Sequence, residues 1–429
     1  MFLKSGNVVT PETCFEEPAI RTVGTFLVND ARRAVRFGEV ELINPPRRER
    51  RGLEAKSGIR CTTVVTGFCG SDWELMRMGR RGELSPKFPD GQSRLINGHE
   101  GVVWVGERNR YAIVLIRGGD ARDPARFEEG ETFFEYGCHQ ADGLMAREGF
   151  FHPDMLLAIP PEHLPPGATL SRRLAARLVF ADPMACMLFQ RERCEDLLAG
   201  HNWRLHVSQG AADGPDANRD AAKKAAAMDE AVREGFARVV IYGLGTTGLL
   251  GAIAIQLKYP HARIVAVGRS RPGGRKDAFL AKLCPGVRYV QAGEDPARTV
   301  AEVVAALGGG RPKLFIAASG SDVESDVAFK HGLLDNNGIY ASFTVGPAVR
   351  YETMPFGFRN HVIFGAVNFR RRHMEEAIAL LPRLPLDELV GEVALADLQA
   401  DPVKLYDDIY RSQTRPMKTT CVWDAGRIQ

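Results

Sequence analysis

Up to about Ala185, apolar positions come in short runs broken by glycine and proline. Arg21 to Val28, Cys61 to Val65, Gly101 to Val105 and Tyr111 to Ile116 read as strands of a twisted, barrel-like antiparallel domain. From Arg238 the rhythm changes. Arg238 to Tyr242 is a continuous apolar strand, Thr246 to Lys258 is helix-like, and Arg263 to Val267 is again a strand. Tyr289 to Val290, Leu314 to Ala318, Gly338 to Phe343 and His361 to Phe364 continue the series, with helical stretches between several of them. That alternation predicts a doubly wound parallel sheet.

The segment between these regions follows neither rhythm. Gly210 to Asp220, rich in Gly, Asp, Ala and Pro, reads as a loop. Ala221 to Phe236 reads as an amphipathic helix with its apolar face at Ala225, Met228, Val232 and Phe236. The simpler reading is a surface insertion; the alternative is a lid or a subunit contact.

Composition narrows the class. The 429 residues, 45% apolar and 25% charged, describe a soluble globular protein of two or three domains. A net charge of +3 gives no global field that would mark a nucleic-acid partner, and Arg47, Arg48, Arg50 and Arg51 read as a solvated loop. No apolar run is long enough to span a bilayer, and the N-terminal residues lack a basic-then-apolar signal pattern. The eight cysteines form no CxxC pair, which leads us to expect a reducing, cytoplasmic setting.

Two motifs carry chemistry. Strand Val239 to Tyr242 runs into Gly243-Leu244-Gly245-Thr246-Thr247-Gly248 and then a helix, the context that makes a GxGxxG pattern a dinucleotide site. Gly243 permits the tight turn, Gly245 lets the backbone approach a pyrophosphate, and Gly248 lets helix and strand pack closely. Gly243, Gly245, Thr246, Thr247 and Gly248 are therefore candidate cofactor residues. An NAD site carries an acid about 20 residues on. Here that place reads Val267-Gly268-Arg269-Ser270-Arg271, so Arg269 and Arg271 point to the 2′-phosphate of NADP, with NAD as the alternative.

The second motif is Cys69-Gly70-Ser71-Asp72 upstream of Gly98-His99-Glu100. Thiolate, imidazole and carboxylate suit zinc, and a catalytic zinc takes three protein ligands. Cys69 and His99 supply two. The third is open between Asp182, before Pro183, and Glu100, which is otherwise a residue behind the ligands.

On these residues the chain resembles the medium-chain dehydrogenase/reductase family, the zinc alcohol dehydrogenase superfamily. Its Gly-x-Cys-Gly-Ser/Thr-Asp and Gly-His-Glu motifs match Gly67 to Asp72 and Gly98 to Glu100, and GxGxxG follows in the expected order. The nearest branch is glucose dehydrogenase, to which Phe134 to Gly137, Asp142 to Met145, Gly268 to Pro272, and Gly365 to Asn368 with Arg371, Arg372 and His373 are similar. The resemblance implies an α/β fold: a GroES-like β-rich catalytic domain at 1–187, a Rossmann domain at 188–364 with an insertion near 200–236, and a return to the catalytic domain at 365–429. It implies a substrate contact for Glu135, a place near nicotinamide and substrate for Asn368, and a homodimer or homotetramer.

By the same resemblance Ser71 starts a proton relay and Asp72 orients His99, so Ser71, Asp72 and Glu100 are the candidate catalytic residues. Two departures stand out. Arg117 to Cys138 contains only Cys138, so the four-cysteine structural zinc of many relatives is not expected and one catalytic zinc is. Asp182-Pro183 stands where the branch has Glu-Pro or Gln-Pro, one methylene shorter. The expected activity is NADP-linked oxidation or reduction of a sugar, polyol or related small molecule. The alternatives are a biosynthetic keto-sugar or cyclitol reductase, a redox-neutral nicotinamide enzyme, and a non-catalytic nucleotide-binding protein.

Overall fold

The computed structural model describes residues 19–28, 35–44, 58–81, 89, 92–118, 134–202, 221–343, 351–366, 369–411 and 416–429. The chain divides into two compact units: one runs to Asp182 and resumes at Arg370, and the other is Pro183–Phe369. Asn368, the expected loop Gly210 to Asp220 and the Arg47 to Arg51 cluster lie outside the described residues.

The first unit opens with β1 (Ala19–Val28) and β2 (Val35–Ile43), then β3 (Ile59–Gly67), helix α1 (Gly70–Arg81), β4 (Arg94–Ile96), β5 (Glu100–Val105) and β6 (Arg110–Val114). β7 (Arg117–Gly118), β8 (Phe134–Tyr136), β9 (Gln140–Ala141), β10 (Glu148–Phe151) and β11 (Leu156–Ala158) follow. The expected strands are present with shifted ends. β2 and α1 are additional to the expected elements. Helix α2 (Arg172–Leu178) starts on a Ser171 cap, whose hydroxyl accepts from the Leu174 amide. Helix α3 (Ala181–Asn202) then ends the β-rich region before Ala185.

In the second unit α4 (Ala221–Ala237) leads into β12 (Arg238–Tyr242), α5 (Thr246–Lys258) and β13 (Arg263–Gly268). β14 (Val287–Gln291), β15 (Leu314–Ala317), β16 (Ile339–Ser342) and β17 (Val362–Gly365) complete a sheet in the order β14-β13-β12-β15-β16-β17. Every pairing in it is parallel. Ranked by chain position that order is 3-2-1-4-5-6, the doubly wound dinucleotide-binding arrangement. Val240, Val265, Phe315 and Tyr340 are in register and buried on one face, and Ile241, Ala266, Ile316 and Ala341 are buried on the other, as a covered parallel sheet requires.

The α4 face differs from its expectation. Ala227, Ala231 and Phe236 are buried, Met228 and Val232 are half-buried, and Ala225 is exposed. Phe236 stacks on Tyr259 at 4.1 Å. A methyl group marks a face only weakly, so packing of Phe236 fixed the rotation.

The chain returns to the first unit with β18 (Val390–Val393) and β19 (Lys418–Val422). They complete a seven-stranded sheet of order β11-β6-β5-β3-β19-β18, with β10 also on β3. Leu27, Phe68, Leu95, Met145, Tyr406 and Trp423 form one of its buried cores. Among the described residues no helix is long and apolar enough to cross a membrane.

Candidate functional site

Three neighbouring strands bring the metal-motif residues to one end of the sheet. β3 lies between β5 and β19, and Gly67 is opposite both Glu100 and Thr420. The chain leaves β3 through Phe68 and Cys69 into α1, while His99 directly precedes β5. A Cβ at Gly67 would come within 2.9 Å of Glu100 Oε2, so glycine keeps that carboxylate in place. Ligand atoms of Cys69, His99 and Glu100 all lie within 4.8 Å of one another.

Ser71 and Asp72 brace this trio. Ser71 Oγ is 3.1 Å from Cys69 Sγ and 3.1 Å from His99 Nε2. Asp72 is fully buried; its Oδ2 accepts from the Cys69 amide (3.0 Å) and its Oδ1 from the Gly98 amide (3.2 Å). The same Oδ1 stands 3.2 Å from His99 Nδ1. One carboxylate therefore ties together both halves of the motif. Burial acts to lower the pKa of His99, but Asp72 and then Cys69 outweigh it and hold the pKa well above the ordinary value.

Two cations that the sequence did not single out complete the electrostatics. Lys418, at the start of β19, buries its ammonium against Glu100 Oε2 and 3.4 Å from the Phe68 carbonyl. Burial would lower the lysine pKa; Glu100 reverses that and raises it. Glu100 Oε1 and Asp182 Oδ1 are buried without a hydrogen-bond partner. Arg117 on β7 is directly opposite Glu135 on β8, and its Nη2 is 3.0 Å from Glu135 Oε1. Its Nη1 is 3.7 Å from Asp182 Oδ1.

Asp182 stands in the first turn of α3, buried, outside the ligand trio. Burial pushes its carboxyl up to about 6, with Arg117 pulling the other way. The Glu135 loop packs on the Gly98 backbone: Gly137 has φ +79, and a Cβ there would meet the Gly98 carbonyl oxygen at 2.5 Å. Cys138, in the same loop, has its thiol pushed up to about 12, first by burial and then by Glu135. Thiol, imidazole and carboxylate converging with an unpartnered carboxylate oxygen fit a zinc ion.

The dinucleotide motif adopts the geometry that its glycines demand. Gly243 has φ +105, its amide donates to the Val267 carbonyl (2.7 Å), and a Cβ would strike the Ser319 amide at 2.5 Å. At Gly248 a Cβ would be 1.8 Å from the Gly243 carbonyl oxygen. Gly245 caps α5 with its backbone alone and has open space where a Cβ would stand. Thr246 and Thr247 form the first turn of α5, directly after that cap. Arg269 and Arg271, just past β13, are exposed. Gly268 abuts Tyr289, whose hydroxyl donates to the Ser270 carbonyl (2.7 Å) and steadies that loop.

No family model and no curated protein matches the sequence. Among solved structures the chain is similar to glucose dehydrogenase from Haloferax mediterranei in complex with NADP, Zn and gluconolactone. The TM-score is 0.64 at 18% identity, covering 94% of this chain and 99% of that one. It is also similar to L-idonate 5-dehydrogenase from Escherichia coli (TM-score 0.63, 16% identity, 94% and 99% covered). A third is 2R,3R-butanediol dehydrogenase from Bacillus subtilis (TM-score 0.60, 16% identity, 94% and 99% covered). The fold is thus the α/β combination of a GroES-like unit and a Rossmann unit. At such identities the likeness speaks for the fold alone.

Proposed function

We propose that this protein is a zinc-dependent oxidoreductase that exchanges a hydride between NADP and a polyhydroxylated small molecule, a sugar or polyol. The observation that carries the reading is the Cys69, His99 and Glu100 trio with Ser71 Oγ at 3.1 Å from both the thiol and the imidazole. Cys69, His99 and Glu100 are the protein ligands. When bound, zinc would polarise a substrate oxygen as a Lewis acid and the nicotinamide would carry the hydride.

The chain's own residues do the rest. Ser71 passes the substrate hydroxyl proton away from the trio, and Asp72 fixes the imidazole tautomer that leaves His99 Nε2 facing inward. Glu135, buried beside Arg117, accepts hydrogen bonds from substrate hydroxyls, as a polyol would offer. Gly245, Thr246 and Thr247 bind the pyrophosphate, and Arg269 and Arg271 pair with a 2′-phosphate. The Haloferax neighbour, solved with NADP, Zn and gluconolactone, supports this ligand set.

A Cys69→Ala variant tests the reading. It is expected to purify without zinc and without turnover, yet to bind NADPH as the wild type does. A metal-free variant with full activity would sink the zinc mechanism.

A further inference from the structure

Arg117 lies where two carboxylates meet. Side-chain exposures of 16% for Arg117, 9% for Glu135 and 8% for Asp182 place all three groups out of bulk water. The guanidinium is pinned on the Glu135 side by an antiparallel register that sets the two residues opposite each other, with a 3.0 Å contact. On its other side Asp182 stands 3.7 Å away, an ion-pair distance rather than a hydrogen bond, and Asp182 Oδ1 has no hydrogen-bond donor. Glu100, by contrast, is neutralised by Lys418 through Oε2 and keeps Oε1 open within the trio.

Resting on the zinc reading above, we propose that Arg117 is a positioning residue for the metal site: it holds Asp182 out of the Cys69, His99 and Glu100 trio. Charge drives this. A buried carboxylate needs a countercharge, and Asp182 has two on offer, the guanidinium and the metal. Because Glu135 fixes the guanidinium, Arg117 cannot follow Asp182 toward the metal, and aspartate has a short reach. Asp182 therefore stays on Arg117, and the position it would have filled is left for a substrate oxygen. A pocket that binds a polyol by a metal needs that open place.

The test uses the full chain loaded with zinc, or with cobalt(II) as a coloured probe. Asp182→Asn alone should leave the cobalt absorption spectrum and the rate of zinc release to a chelator at wild-type values. Arg117→Met should release Asp182 to the metal. The cobalt bands then weaken as coordination number rises, and zinc release slows by roughly tenfold. Arg117→Lys, which keeps the cation, and the double variant Arg117→Met with Asp182→Asn should both return to wild type. If Asp182→Asn alone changes the spectrum or the release rate, Asp182 is already a ligand and the proposal is overturned. A lower Tm in Arg117→Met with an unchanged cobalt spectrum also overturns it, because Arg117 would then be merely structural. Wild-type protein that takes up neither ion would take down the zinc reading itself, and this inference with it.

Discussion

Lys418 opens β19 with its side chain turned into the protein, where it meets Glu100. Its ammonium is the countercharge to Glu100 in a pocket that excludes water from both. Breaking such a pair by removing one partner typically costs about 3–5 kcal/mol, because the survivor stays buried and uncompensated. Lys418→Met should therefore lower unfolding stability by about that much in metal-free protein. Zinc on Glu100 would supply the missing charge, so the loss should shrink when zinc is bound. Denaturant unfolding with and without zinc measures the difference, and equal losses would count against Glu100 as a ligand. Arg269 and Arg271 make a separate case, since both are exposed and neither has a role in the fold that the structure reveals. Each charged hydrogen bond to a phosphate contributes about 1.5–3 kcal/mol. Replacing either arginine by alanine should shift the NADP over NAD preference by roughly tenfold or more, read from Kd for both cofactors, with Tm unchanged.

Among the elements, the β12–α5 turn offers the sharpest contrast between neighbouring residues. Gly245→Ala adds a methyl group into open space, at a φ of −85 that alanine adopts freely. Folding should be unaffected and NADPH binding lost, because the methyl would occupy the path of the pyrophosphate. Gly248→Ala drives a methyl into the Gly243 carbonyl, so it should lower Tm even without cofactor. Thermal melts with a parallel NADPH titration separate the two; a Gly245→Ala variant that binds NADPH like the wild type would contradict the phosphate assignment. This turn was also the most legible part of the chain. Its strand and helix came out with their observed ends, Arg238–Tyr242 and Thr246–Lys258, since glycine spacing and apolar runs are local signals. The metal motif was legible for the same reason, each half being contiguous in sequence. Lys418 was not, because it meets Glu100 across 318 positions, and a lysine opening a strand looks like an ordinary solvated residue. Arg117 was hidden likewise, as its role depends on the β7–β8 register and on an aspartate in α3. The α4 face was misplaced at Ala225 because alanine, small and tolerant of either environment, says little about which side is buried.

At the scale of the whole molecule, the metal trio and the dinucleotide turn belong to different compact units. Metal loss and cofactor loss should therefore be separable: Gly245→Ala should keep zinc, as Cys69→Ala should keep NADPH binding. Only hydride exchange needs both. The most direct test of that claim is the rate of NADP reduction, followed by nicotinamide absorbance, across a panel of aldoses, polyols and simple alcohols. It should be run on native protein, after removal of metal by a chelator, and after return of zinc. Turnover is expected with one or more sugars or polyols, well above that with simple alcohols, abolished by the chelator and restored by stoichiometric zinc. Turnover that persists undiminished in verified metal-free protein, or none on any polyhydroxylated substrate with zinc and NADP both bound, would contradict it.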